Sequence, residues 1–237
     1  MADFLLIHGS CHGAWCWHDL IPHLTALGHR ARAIDLPGHG DDTTPADQIT
    51  LDDCRNAVLD ASIPDTIIVG HSWAGYPISA AAEADPSAMR ALVYLCAYVP
   101  ISGLSMVDMR KRAPRQPLLP AVIRNPDGIT FTIDPEMAPA VFYHDCRAET
   151  VAYAVNRLGP QAIRPQTTPL VVTDRFDRVP KAYIRCANDQ TIPPEYQAEM
   201  ARGFPPEQVY EMQTSHSPFF ADPAGLAALL DRIAGTV

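Results

Sequence analysis

No apolar run in the sequence approaches the ~20 residues needed to cross a bilayer, so no spanning segment is expected. Paired cysteines are missing as well. Cys11, Cys16, Cys54, Cys96, Cys146 and Cys186 are scattered without a C-x-x-C pair, which argues against a zinc site or a disulfide frame. Reduced thiols in the cytoplasm are expected instead. Positive charge is scarce: 18 lysines and arginines stand against 27 acidic residues, for a net charge of −9. That balance argues against nucleic acid or an anionic membrane as the main partner. Internal repeats and low-complexity tracts are absent. So are a basic leader and a small-residue cleavage site, and no secretory signal is expected. The 237 residues, 47% hydrophobic and 19% charged, suit one globular domain, alone or with a sizeable insertion.

Taken in order, the chain alternates. Phe4 to Ile7 is a short apolar run ending at His8-Gly9, as expected of a strand buried on both faces. Trp17 to Leu27 has helical spacing and stops at Gly28. Arg30 to Leu36 suggests a second strand, Ile49 to Ala61 a helix, Ile67 to Val69 a third strand, and Arg90 to Cys96 a fourth. This β-α-β-α-β-α-β order predicts an α/β fold, a mostly parallel sheet of about six strands with helices on both faces. From residue 99 to 179 the alternation is lost and prolines accumulate. That stretch holds a possible hairpin strand at Ile129–Ile133, a helix at Ala148–Leu158 and a basic run at Arg110–Arg115, for which a solvated surface is expected. Alternation resumes with strands at Ala182–Cys186 and Gln208–Met212 and helices at Pro194–Gly203 and Pro223–Ile233. The expected division is a core of residues 1–98 and 180–237 with a cap of residues 99–179 inserted over the sheet's carboxyl edge.

One stretch organises the rest. Ile67-Ile68-Val69-Gly70-His71-Ser72-Trp73-Ala74-Gly75-Tyr76 is an apolar strand that breaks at a glycine, presents one serine and enters an alanine-rich helix. Small residues before and after the serine are what a strained nucleophile elbow demands. A plain alternative is a helix with Ser72 as its N-cap. A serine nucleophile needs a base, and the base needs a carboxylate to orient it. In this topology the acid follows a late strand and the histidine follows the last, which selects Asp189 and His216; Asp35 is the rival acid. Backbone donors for an oxyanion are expected at Ser10 and Trp73. Gly9, His71 and Ser217 are candidate pocket residues. Trp15 and Trp17 are expected in the core, as is the Trp73 ring. No cofactor and no metal is expected.

These stretches resemble an α/β-hydrolase, and more narrowly its esterase and hydroxynitrile-lyase branch, with plant methylesterases and bacterial carboxylesterases among its members. The resemblance rests on Leu6–Trp15, Gly70–Gly75, Asn188–Pro193 and His216, in that order. It implies a serine carboxylesterase with Ser72, His216 and Asp189 as triad and Ser10 and Trp73 as oxyanion hole. Two rivals stand beside it: a lyase acting through the same serine and histidine, and a non-catalytic receptor for a small ligand. Lyases of the branch typically place a threonine after the first-strand histidine and a lysine after the catalytic one. Here those positions are Gly9 and Ser217. The cap also lacks the tryptophan that plant relatives usually place over the acyl pocket.

Overall fold

In the computed structural model, which describes residues 1–237, six parallel strands form one sheet. They are β1 (Asp3–Ile7), β2 (Arg30–Ile34), β3 (Thr66–His71), β4 (Ala91–Leu95), β8 (Lys181–Cys186) and β9 (Val209–Met212), in the order β2-β1-β3-β4-β8-β9. Every residue of β1, β3 and β4 is buried, as continuous apolar runs require when helices cover both faces. Alternate side chains feed two apolar layers: Phe4, Leu6, Ile67 and Val69 on one side, Leu5, Ile7 and Ile68 on the other. Helices α1 (Leu20–Ala26) and α11 (Pro223–Ala234) belong to the first layer, α2 (Leu51–Ala61) and α3 (Gly75–Ala84) to the second. No helix is long and apolar enough to cross a membrane.

The first helix is shorter than its apolar spacing predicts. Ala14–Trp17 forms a 3₁₀ turn and α1 begins only at Leu20. Pro22 gives the reason: it has no N–H for a helical bond to His18 and its ring would crowd that carbonyl, so it is tolerated only in a first turn. Pro77 sits likewise in the first turn of α3. At α2, Thr50 and Asp53 close a reciprocal capping box that fixes the start at Leu51.

Between β4 and β8 lie α4 (Met106–Arg112), β5 (Val122–Arg124), β6 (Thr130–Ile133), α5 (Ala138–Phe142), α6 (Ala148–Val155), β7 (Gln161–Ala162), α7 (Ile163–Thr167) and α8 (Asp174–Asp177). The three short strands make a separate antiparallel sheet in the order β5-β6-β7. The remaining helices, α9 (Pro194–Met200) and α10 (Pro218–Ala221), follow β8 and β9. In the main sheet, Ile7 pairs with Gly70 and His71 with Leu95, so β1, β3 and β4 end together. The loops after those ends, and after β8 and β9, carry the chemistry.

Candidate active site

Ser72 follows directly on β3 with φ of +58°, a left-handed conformation that is strained for a residue with a Cβ. Its neighbours make the turn possible. A Cβ on Gly70 would lie 2.6 Å from Ile78 Cδ1 and 3.1 Å from the Ala74 carbonyl oxygen, and one on Gly75 would collide with the Tyr98 carbonyl. The backbone of Tyr98 is tied to the turn by its N–H, which donates to the Ser72 carbonyl at 3.0 Å. The strain lifts Ser72 into a cavity of about 160 Å³ that it shares with His216.

Asp189 is fully buried in the loop after β8. Its Oδ1 accepts from the backbone N–H of Thr191 (2.6 Å) and Ile192 (2.9 Å). Its Oδ2 accepts from Gln197 Nε2 (2.8 Å) and His216 Nδ1 (2.7 Å). Four donors on two oxygens suit an acceptor-only carboxylate. Since Nδ1 carries the proton shared with Asp189, Nε2 is the nitrogen free to act as a base. Ser72 Oγ makes no hydrogen bond within the protein; it and the His216 ring meet across the cavity.

His216 is held from behind. Its backbone carbonyl accepts from His71 Nε2 at 2.8 Å and from Cys96 Sγ at 3.5 Å, while Phe142 stacks on its ring at 5.8 Å. Burial pushes the His71 pKa well below its ordinary value, and the nearby His216 and His12 push it the same way. His71, Cys96 and His216 are also the side chains best grouped for a metal, with ligand atoms within 4.8 Å of one another. Here His71 Nε2 and Cys96 Sγ both donate to the His216 carbonyl, and burial raises the Cys96 thiol pKa, in keeping with a donor role. The cluster is a hydrogen-bonded support.

Ser10 and Trp73 both line the cavity. The Ser10 N–H has no acceptor in the protein, and that of Trp73 lies in the first turn after β3, where helical N–H groups have no intrahelical partner. The peptide joining Gly9 to Ser10 is anchored by its carbonyl, which accepts from His8 Nδ1 at 2.8 Å and from the His12 N–H at 3.3 Å. His12 then steadies the loop, with Nδ1 donating to the Ser10 carbonyl (2.8 Å) and Nε2 accepting from the Tyr143 hydroxyl (2.7 Å).

The structure redistributes several sequence candidates. Ser10, His71, Ser72, Trp73 and His216 line the cavity, and Asp189 stands behind His216. Gly9 does not line it: a Cβ there would meet the His71 ring at 2.6 Å, so Gly9 makes room for His71 and not for a ligand. Ser217 also lies outside, its hydroxyl buried and unpartnered at the start of α10. Trp17 is in the core as expected; Trp73 is buried too, yet its side of the cavity is part of the site. Asp35 faces away, accepting from the N–H groups of Ala14 (2.6 Å) and Asp41 (3.0 Å). The basic run divides: Lys111, Arg112 and Arg115 are exposed, but Arg110 lines the cavity, because α4 turns Met106, Val107 and Arg110 to one side.

Sequence reasoning did not find Gln197, Gln166 or Arg110. Gln197 is one α9 turn past Pro193 and could be found only from the fold. Gln166 lines the cavity and donates to Ser10 Oγ at 2.7 Å. Helix α5 and the residues after it brace both key loops. Thr191 Oγ1 donates to the Val141 carbonyl (2.8 Å), Ser215 Oγ to the Phe142 carbonyl (3.1 Å), and the Ser215 N–H to Asp145 (2.6 Å).

Comparison with known proteins bears on the family and the fold. Methylesterase 7 of Arabidopsis thaliana is 32% identical over 98% of this chain and 95% of its own length. A pyrethroid hydrolase of Sphingobium faniae JZ-2 superposes with a TM-score of 0.86 at 26% identity, over 99% of this chain and 97% of that one. Polyneuridine aldehyde esterase superposes with a TM-score of 0.87 at 25% identity, over 99% of each chain. The model of the alpha/beta hydrolase family matches residues 4–229. The chain belongs to the alpha/beta hydrolase family.

Proposed function

We propose that the chain is a serine carboxylesterase that cleaves small carboxylic esters through an acyl-enzyme on Ser72. The observation that carries this is the shared cavity: a strained serine, a histidine whose far nitrogen is locked to a buried aspartate, and two free backbone donors. Ser72 attacks the ester carbonyl while His216 Nε2 takes its proton and passes it to the leaving alcohol. Water, activated by the same nitrogen, then cleaves the acyl-enzyme. Asp189 keeps the proton on Nδ1 and stabilises the imidazolium. The N–H groups of Ser10 and Trp73 receive the developing oxyanion. The Ser72–His216 hydrogen bond closes when substrate is bound. Every part is a side chain or a backbone group, so the mechanism uses no cofactor.

Relatives named as methylesterases and esterases support this reading over a lyase or a receptor. Departing cyanide would be stabilised by a cation next to His216 in the chain, where Ser217 is neutral; the cavity's one arginine, Arg110, is carried by α4 instead. A receptor has no need of an acid, a base and a nucleophile aligned together. Residues 99–179 act as the cap, supplying Met106, Leu118, Phe131, Ile133 and Phe142 to the cavity wall. Six cysteines without a disulfide fit a cytoplasmic site of action.

The test is Ser72→Ala. The wild type is expected to hydrolyse p-nitrophenyl or methyl esters and to be labelled once per chain by a fluorophosphonate, and a folded Ser72→Ala protein to do neither. Full activity in that variant would sink the mechanism. Cyanide release from mandelonitrile that outpaces ester cleavage would move the assignment to a lyase.

A further inference from the structure

Arg110 is the only arginine or lysine that lines the catalytic cavity. It is half-buried and has no carboxylate partner, although its neighbours do: Lys111 pairs with Asp108 and Arg115 with Glu195. In a chain of net charge −9 with 27 acidic residues, a cation facing an apolar space without a counter-ion is unusual. Removing a charge from water without an opposite partner is costly, and such charges are ordinarily paired.

Its orientation is also fixed. Gln116 Nε2 donates to the carbonyls of Arg110 (2.6 Å) and Ala113 (3.3 Å), which turns the amide oxygen towards the guanidinium. That oxygen accepts from Arg110 Nη1 at 2.8 Å. Nε and Nη2 donate to no group in the protein. The Tyr98 hydroxyl, on the same cavity, also has no partner in the protein, and burial raises its pKa so that it remains a donor. One clamped arginine edge leaves a planar fork of N–H groups, the geometry that fits a carboxylate.

We propose that the preferred substrate is an ester carrying a second, anionic carboxylate, such as a half-ester of a dicarboxylic acid. Arg110 holds the free carboxylate, the Tyr98 hydroxyl assists, and the apolar walls between Arg110 and Ser72 cover the spacer. This rests on the ester-hydrolase reading and names its substrate class. Water adds across the ester bond, so the products are the dicarboxylic acid and the alcohol, with no further reactant. Arg110 acts on specificity; the bond-breaking groups remain those around Ser72.

The experiment compares monomethyl esters of straight-chain dicarboxylic acids with methyl alkanoates of equal chain length. For wild type, kcat/KM for the half-ester should exceed that for the neutral ester at least tenfold at one chain length and less on either side, because the Arg110-to-Ser72 span is fixed. Arg110→Met should lower that ratio about tenfold to a hundredfold, mainly through KM, since a uniform binding contact is lost. Arg110→Lys keeps the charge without the fork and should fall between, and it supplies the reading if the methionine variant does not fold. Neutral esters cleaved with a ratio at or below one at every length would overturn the inference and leave the hydrolase intact. So would an unchanged ratio in both variants. Absence of all ester cleavage and of Ser72 labelling would overturn the hydrolase reading, and this inference with it.

Discussion

The arrangement around Asp189 separates orientation from reactivity. Thr191, Ile192 and Gln197 fill three of the acceptor positions on the carboxylate, so only one is left for His216, and the imidazole has one direction to face. Asp189→Asn keeps the shape but presents an amide that can donate to Nδ1, which moves the imidazole proton to the nitrogen needed as a base. The expected loss in kcat is on the order of 10⁴. Asp35→Asn should lose far less activity per folded molecule, because Asp35 caps loops away from Ser72. Steady-state kinetics on both variants, with folding checked by circular dichroism, decides between the acids. A more damaged Asp35 variant would reverse the assignment.

At the scale of elements, the elbow joins β3 to α3 with no slack. A Cβ on Gly75 would strike the carbonyl of Tyr98, a backbone atom that cannot swing aside as a side-chain tip can. Gly75→Ala should therefore cost about 1–3 kcal/mol of stability and displace Ser72 as well. Urea unfolding and esterase assays are expected to show both losses, and wild-type values in both would refute the close approach. The same tightness explains what could be read beforehand. Strands β1, β3 and β4 are buried on both faces and so are written as continuous apolar runs. The elbow shows in sequence because strain leaves only small residues at Gly70 and Gly75. The elbow marked Ser72, and position after the last two strands then selected Asp189 and His216 as candidates. The stretch between β4 and β8 is different: its strands have two to four residues and α4, α5, α7 and α8 four to seven, too short for a periodic signal to build up. Arg110 was hidden for that reason, since its four-residue spacing from Met106 carries meaning only once α4 is known to be a helix. Gly9 misled for another. The sequence showed a missing side chain, and only the fold showed that His71 fills the space.

For the whole molecule, the carboxyl edge of the sheet is rich in buried histidine. Burial holds His12 at a pKa of about 4 and pushes His8, His39 and His71 below the ordinary 6.5. In the unfolded chain each would protonate near 6.5. Between that value and the folded ones, the unfolded state binds more protons, so stability is fully present above pH 6.5 and falls as the pH drops towards 4. For His12 alone the linkage amounts to about 3 kcal/mol. Urea midpoints measured at pH 7.5 and pH 4.5 should differ strongly, and equal midpoints would contradict the burial of neutral histidines. A separate consequence follows from the ties between α5 and the two key loops. An engineer wishing to transplant a cap from another hydrolase would naturally cut where the main sheet ends and resumes. Such a chimera would discard the carbonyls of Val141 and Phe142 and the Asp145 carboxylate, on which the loops of Asp189 and His216 rest. A graft that exchanges α4 and the three-stranded sheet but retains Ala138–Cys146 would swap the wall that faces the ligand while leaving the machinery seated, which makes that short segment the true seam for remodelling this enzyme.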